Sequence, residues 1–394
     1  MPLAKHTSEI VIVGGGVIGL AVARALARRG VKDVLLLERG ELGKEASYAA
    51  AGILAPQAEA DESDEFFALA AASRDAYPAF AESLYAETGI DIELDSAGTL
   101  YLAFNSTDEQ EIQDRFAWQT RAGLSVERLT RAEALQLEPN ISAHVCSALR
   151  FPKDIQVENR LLVEALTSSC RHFEVTLVTN TLVHDLKIES GQLTGVQTSA
   201  GFISTDCVVI AGGAWTSKIK NLPAITIEPV RGQMLCFHGQ QRIANHVLYS
   251  PRGYLVPRRD GRLLAGSTLE EVGFDSRVTD EGLQTVRSNA LEISSLVQQL
   301  AVGEAWAGLR PRAADNLPVL GPCGEIKGLV YATGHYRNGI LLAPITGDLI
   351  AETIISEESP PLLTPFSADR FGLDTVGASL RGRPWLRKRF SPVH

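Results

Sequence analysis

Three glycines at fixed spacing, and one acid further on, carry the first chemistry legible in this chain. Gly14, Gly16 and Gly19 form G-x-G-x-x-G within EIVIVGGGVIGLAVARALARRGVKDVLLLE, residues 9–38. In such a unit the first glycine allows a tight turn and the second lets backbone approach a pyrophosphate. The third lets a helix pack closely on a sheet. Glu38 closes the unit. A carboxylate there accepts hydrogen bonds from both ribose hydroxyls of an adenosine and repels a 2′-phosphate, which disfavours NADP. Strand, turn, helix and terminal acid together predict an adenine dinucleotide site, with Val17 and Ile18 where the helix begins. The unit alone leaves FAD and NAD open.

Periodicity gives the elements that must position these residues. Residues 10–13 are the short apolar run of a strand buried on both faces. A helix over 17–29 turns Ile18, Val22 and Leu26 inward and Arg24 and Arg28 outward. Gly30 suits its stop, and residues 34–37 form a second strand. After the polar loop begun by Arg39 comes a run of small residues that includes Ala46, Ser47, Ala51, Gly52 and Ile53. It permits close backbone approach to something flat or phosphorylated, with Ser47 offering a hydroxyl; a tight helix–helix contact is the other reading.

Helices over 66–88, 107–122 (opened by Thr107 and Asp108) and 130–136, with a strand over 98–104, have the character of an inserted second domain. The first helix of these offers Phe67, Tyr77, Leu84 and Tyr85 among its apolar positions. The first domain resumes near Phe151, with a helix over 160–169, a strand over 175–178 and a hairpin through Ser190-Gly191. A buried strand over 206–211 ends in Gly212 and Gly213. Ligands of open α/β sheets lie beyond such strand ends. Residues 229–268 return to strands, and a hairpin there places Tyr254, Val256 and Arg258 on one face. A helix follows over 280–300, then a strand over 328–333, the loop GHYRNG over 334–339, and a helix over 343–355 with Pro344 near its first position. That last helix points a positive end over the strand ends. A reduced flavin, negative around N1 and C2=O, has use for it and a pyridine nucleotide has none, so FAD is favoured.

Composition narrows the class. Charged residues make up 21% and apolar ones 45%, as in ordinary globular proteins, and 394 residues suffice for two domains. The formal charge of −10 argues against nucleic acid or an anionic membrane surface as a partner. Residues 1–8 hold no apolar core of a signal peptide, and the glycines and Arg24 within 11–27 argue against a membrane span. Five scattered cysteines without C-x-x-C spacing read as reduced thiols, hence a cytoplasmic protein.

Over residues 9–371 the chain resembles the FAD-dependent D-amino-acid oxidase superfamily, and within it the glycine oxidases of thiamine biosynthesis. The motifs are the glycine fingerprint, SYAAAGILAP, YLVPRRDGRLLAGST, AWAGLRP and ATGHYRNGILLAPITG. The resemblance implies an α/β, Rossmann-like FAD-binding domain (residues 1–88, 145–228 and 301–372). An inserted α+β substrate domain with an antiparallel sheet (89–144 and 229–300) and a basic tail (373–394) complete the chain. It further implies oxidation of glycine, sarcosine or D-alanine to the imino acid, with O2 reduced to H2O2, for the thiazole of thiamine, in a homo-oligomer, by family a tetramer. Carried over by motif, Arg310 pairs with the substrate carboxylate, Tyr254 gives it a hydroxyl partner, and Arg337 lies near substrate and flavin. His335, Tyr336, Asn338, Gly339, Ile340 and Leu341 line the flavin, and the stretch near Leu182 meets the adenine half.

A planar guanidinium fork matches a carboxylate as lysine cannot. The alternative for Arg310 is a structural ion pair with, for example, Asp315; for Tyr254 it is an ordinary half-buried strand tyrosine. No general base is evident. His335 qualifies by position only, and a loop histidine satisfied by backbone is its other reading. Unlike the monomeric sarcosine oxidases, the chain has no cysteine within 308–315, which implies non-covalent FAD. Arg252, in a segment unlike that of glycine oxidases, adds a charge near the pocket mouth. The tail, with Arg381, Arg383, Arg387, Lys388 and Arg389 around Trp385 and Phe390, reads as solvated or docked at an interface. Rival functions are a dehydrogenase serving a quinone or protein carrier, a flavin enzyme acting on tRNA, and a non-catalytic flavin binder.

Overall fold

Ile10–Val13 lies inside a six-stranded sheet whose strands run, in spatial order, Val319–Pro322, Leu329–Thr333, Cys207–Ile210, Ile10–Val13, Val34–Leu37 and Thr176–Val178. The computed structural model describes residues 6–371 apart from position 224, so the basic tail lies outside the described residues. All pairings in this sheet are parallel except that of the edge strand Val319–Pro322. Strand alternation sends Ile10, Ile12, Val34 and Leu36 into one core, which they share with the helices Val17–Arg28, Glu65–Thr88, Asn159–His172 and Gly339–Ser356. Val11, Val13, Leu35 and Leu37 enter a second core against a three-stranded antiparallel sheet, Val183–Glu189, Gln192–Thr198 and Gly201–Ser204. Burial on both faces is why these strands are unbroken apolar runs.

The fingerprint helix is enclosed more completely than its polarity suggests. Arg24, expected to face outward, is 3% exposed. Its guanidinium grips Glu87 through Nε (2.7 Å) and Nη2 (2.6 Å) and also donates to Ser83 and Ser169. Helices Glu65–Thr88 and Asn159–His172 cover that side, so the charge persists only because it is paired. Arg28 is exposed as expected. The helix Glu65–Thr88 is capped by Asp64, which accepts from the Phe67 N–H, and stops at Gly89 in the left-handed conformation (φ 72°). Tyr85 on it is 58% exposed, outside the buried stripe the sequence suggested.

The last helix begins earlier than expected, at Gly339, so Pro344 falls inside it rather than at its start. A proline there removes the N–H that would bond the Ile340 carbonyl four residues back. The Tyr77 hydroxyl, from the neighbouring long helix, donates to that carbonyl instead, and Ser73 Oγ donates to the Leu341 carbonyl at 2.6 Å. Gly339–Ser356 is long and apolar enough to cross a membrane, but its sides pack against Val17–Arg28 and Glu65–Thr88. Its hydropathy belongs to the core.

The second sheet has eight strands in the order Ala301–Ala313, Ile227–His238, Arg262–Gly266, Gly253–Pro257, Val247–Ser250, Thr99–Ala103, Ser147–Phe151 and Glu127–Thr130. It is antiparallel except where Val247–Ser250 runs parallel to Thr99–Ala103, so the sheet is mixed. Leu255, Leu263 and Ala265 pack on the helix Asp280–Ile293, whereas Val256 and Leu264 face the opposite way, towards Ala51, Met234 and Trp306. Tyr254 packs on that second face, as the alternation predicted.

Several boundaries move. The helix expected over 280–300 ends at Ile293, and the cap of Ser106–Arg121 is Asn105, which accepts from the Asp108 N–H, not Thr107 or Asp108. Ser147–Phe151 and Ala301–Ala313, assigned from the sequence to the nucleotide domain, hydrogen-bond within the eight-stranded sheet.

Candidate active site

A cavity of about 450 Å³ is lined from both sheets. On its nucleotide side the fingerprint glycines divide their roles. Gly14 turns the chain at φ 110°, and a β-carbon on it would sit 2.3 Å from the Ala211 carbonyl oxygen. On Gly19 it would sit 1.9 Å from the Gly14 carbonyl oxygen, so this residue serves helix packing and does not line the cavity. On Gly16 it would meet only Ser47 Oγ, at 3.3 Å, and Gly16, Val17 and Ile18 open onto the cavity. The helix they begin has no side-chain cap at Gly16; the Val17 N–H donates to Ser47 Oγ at 2.9 Å. The remaining first-turn donors lack helical partners, as an anion site requires.

Glu38, 8% exposed, ends the second strand at the cavity wall. Its oxygens accept from the Gly15 N–H (2.7 Å) and the Gly40 N–H (2.8 Å), and each keeps a lone pair for a ribose hydroxyl. Arg39 lies over the Trp215 ring at 3.5 Å and pairs with Glu45. Leu182, Gly212 and Gly213 line this end too.

Ala46, Ser47, Ala51, Gly52 and Ile53 line the cavity, where a ligand could approach their backbone. A β-carbon on Gly52 would lie 2.0 Å from the Val157 carbonyl oxygen, so protein backbone also packs against it. Arg258, 3% exposed, donates to the Ala51 carbonyl (2.9 Å), the Val157 carbonyl (2.8 Å) and Asn159 Oδ1 (3.1 Å), tying the hairpin to this run.

From the far side the loop 334–339 delivers the start of the helix Gly339–Ser356. Tyr336 takes φ 48° and its N–H donates to the Pro311 carbonyl at 2.8 Å. His335, Tyr336, Arg337, Gly339 and Ile340 line the cavity, and this helix also lacks a side-chain cap. Asn338 and Leu341 do not line it: Asn338 sits at the helix start, its carbonyl accepting from the Leu342 N–H, and Leu341 is 2% exposed in the core. The His335 ring turns into the helix, with Nε2 3.1 Å from Thr346 Oγ1, so a hydroxyl satisfies it rather than backbone. Burial pushes its pKa down to about 3.

Arg310, Tyr254 and Arg337 converge on the same cavity. Arg310 donates to Ser267 Oγ (2.6 Å) and the Thr268 carbonyl (3.2 Å). No carboxylate among the described residues pairs with it, and Asp315, its alternative partner, is taken by Arg370 at 2.8 Å. Burial above all pulls its pKa below the ordinary guanidinium range. Arg337 donates to the Tyr249 hydroxyl (2.7 Å) and lies 3.5 Å from Glu59 Oε1; these two neighbours hold it firmly charged. The Tyr254 hydroxyl contacts Met234 Sδ at 3.3 Å. Arg252 is not at the mouth. It faces away, bonded to Asp108 (2.8 and 3.1 Å) and Glu292.

Glu59, Tyr249, Met234 and Ser267 line or back the site and were not read from the sequence. Tyr249 had a findable signal. It pairs directly opposite Tyr254 across the tight hairpin, and opposed residues share a face. Glu59 gives no local signal at all.

Two uncapped helix starts, a glycine cradle and a strand-end acid with free lone pairs fit a flavin dinucleotide. Comparison with known proteins agrees. A family profile described as DAO, FAD dependent oxidoreductase, matches residues 9–353. The chain is 34% identical to the crystal structure of glycine oxidase from Geobacillus kaustophilus, with a TM-score of 0.88 over 92% of this chain and 98% of that one. It is 33% identical to the glycine oxidase of Pseudomonas putida, over 91% of this chain and 97% of that protein. It is 36% identical to the "Bifunctional protein ThiO/ThiG" of Trichormus variabilis over 93% of this chain, but spans only 55% of that longer protein. The chain belongs to the DAO family of FAD-dependent oxidoreductases.

Proposed function

We propose that the protein oxidises glycine, or a similarly small amine such as sarcosine or D-alanine, to the imino acid, and that this product feeds assembly of the thiamine thiazole. The observation that carries the reading is Arg310: a guanidinium in the wall of the flavin cavity, held by Ser267 and Thr268, with no carboxylate partner among the described residues. Withdrawing a guanidinium from water without an anion is costly, and an incoming α-carboxylate restores the balance through a bidentate pair. Tyr254 and Arg337 flank the same space. The cationic field of Arg310 disfavours a second positive charge beside it, so the amine sheds its proton more readily. Bound FAD supplies the two-electron acceptor and, reoxidised by O2, yields H2O2.

The residues proposed to hold it are Gly14, Gly16, Val17, Ile18, Glu38, Arg39 and Ser47 for the dinucleotide, and His335, Tyr336, Arg337, Gly339 and Ile340 for the ring. None of the five cysteines lines the cavity, which supports non-covalent binding. Unpaired thiols, buried at Cys170 and Cys236, support a cytoplasmic setting, and we propose a homo-oligomer, by family a tetramer. The test is to mix the yellow protein with glycine, sarcosine and D-alanine without oxygen, then admit air. Bleaching by a small amine followed by peroxide is expected. A flavin that none of these amines bleaches would end the reading, and bleaching without peroxide would move the acceptor from O2 to a carrier.

A further inference from the structure

The substrate side of the cavity holds two guanidinium groups, Arg310 and Arg337, and they differ in one respect. No carboxylate among the described residues lies within ion-pair distance of Arg310, whereas Arg337 has Glu59 at 3.5 Å. We infer that Glu59 determines specificity: by neutralising Arg337 it leaves the cavity a single carboxylate receptor, so that monocarboxylic amines bind and dicarboxylic ones are refused. The inference rests on the amino acid oxidase reading and deepens it.

Glu59 is held in place by more than its partner. It ends the short helix Pro56–Glu59, whose Ala58 N–H donates at 2.8 Å to Asp154 Oδ2, a fully buried carboxylate. Arg74 Nη1 braces the other Asp154 oxygen at 3.2 Å. On the following side the Ala60 carbonyl accepts from the buried Arg115, whose guanidinium also reaches Asp61. The segment is therefore clamped before and after Glu59, and the side chain projects into the cavity that Arg310, Tyr254 and Arg337 share. A ligand with one carboxylate takes Arg310. A second carboxylate would have to displace Glu59 from Arg337 or lie against it, and like charges at such range repel. Glu59 thus acts by exclusion rather than by attraction.

The test uses the FAD-loaded protein with two ligands that carry no amine to oxidise: glycolate, with one carboxylate, and diglycolate, with two. Perturbation of the flavin spectrum reads each Kd without turnover. Glu59→Gln should tighten diglycolate at least tenfold relative to glycolate, and should raise kcat/KM for iminodiacetate relative to glycine by a similar factor. Glu59→Asp, which keeps the charge, should resemble the unsubstituted protein. The double variant Glu59→Gln, Arg337→Gln should lose the gain, because the second receptor has gone. A diglycolate-to-glycolate ratio within twofold of the original in Glu59→Gln, or a gain that survives in the double variant, overturns the inference alone. Failure of glycolate to bind the unsubstituted protein removes the amino acid reading and this inference with it.

Discussion

The two sides of the cavity are built on opposite principles. The dinucleotide side is mostly backbone: Gly14, Gly16, Val17 and Ile18, a run of small residues within 46–53, and an acid whose oxygens already hold two amides. The substrate side is mostly side chains, contributed by Glu59, Tyr249, Tyr254, Arg310 and Arg337 from separate segments. A backbone site needs particular residue types at particular spacings, because only glycine tolerates the approach. A side-chain site needs only that distant residues meet, and many local sequences satisfy that. The difference has consequences for what substitutions should do.

The largest effect is expected where backbone meets backbone. Gly19→Ala would put a carbon 1.9 Å from the Gly14 carbonyl oxygen, and neither helix nor turn can yield without moving the phosphate cradle. We expect loss of bound FAD together with a drop in stability of several kcal/mol, on the order of 3 kcal/mol or more, as for overpacking of a rigid site. The flavin-to-protein absorbance ratio and the denaturant midpoint measure both. Gly30→Ala is the control. Gly30 has φ 94° but nothing within 4 Å of its would-be β-carbon, so only conformational strain of about 1 kcal/mol is expected, with FAD retained. If both variants kept their flavin equally, the backbone account of this side would fail.

On the substrate side the effect should be smaller and should leave the cofactor alone. Arg310→Ala removes a bidentate partner worth roughly 3–4 kcal/mol, so kcat/KM should fall by about 10²–10³ with FAD still bound. Arg310→Lys should recover only a fraction, since an ammonium lacks the planar fork. Flavin lost along with activity would mean that the two sides are not separable. Unchanged kinetics would take Arg310 out of the site.

Legibility in the sequence follows the same division. The fingerprint strand and helix, the hairpin at 183–198 and the face shared by Tyr254 and Val256 were readable because each depends on neighbours within a few residues. Arg24 was misplaced because its burial comes from helices that lie 40 and 130 or more residues away in the chain, and only their packing supplies Glu87 and Ser169. The strand Ala301–Ala313 has no local signal of its sheet, since its pairing partner is Ile227–His238, more than sixty residues earlier in the chain. Pro344 marked a helix start by local rule, yet Tyr77 satisfies the carbonyl that the proline leaves free. Glu59 and Arg337 carry a relationship that no spacing encodes.

His335 belongs to the junction of the two sides and gives the smallest expected effect. His335 lies in the cavity wall, but its ring is buried and bonded to Thr346, and burial lowers its pKa to about 3. A histidine so placed is neutral throughout the working range and is no titrating base, so the pH profile of kcat/KM should keep its inflections in His335→Gln. The trace of this residue should appear in stability instead. Above a pH of about 6.5 the ring is neutral in both folded and unfolded chains and contributes no pH dependence. Below that value the unfolded chain takes up a proton that the folded one refuses, so stability falls as pH drops towards 3. The slope from this one group approaches about 1.4 kcal/mol per pH unit. His335→Gln, which can still bond Thr346, should flatten the acid limb of a stability-versus-pH curve by up to that amount and leave the neutral limb where it was. An unchanged acid limb, or a lost inflection in kcat/KM, would show that the ring faces the substrate side after all.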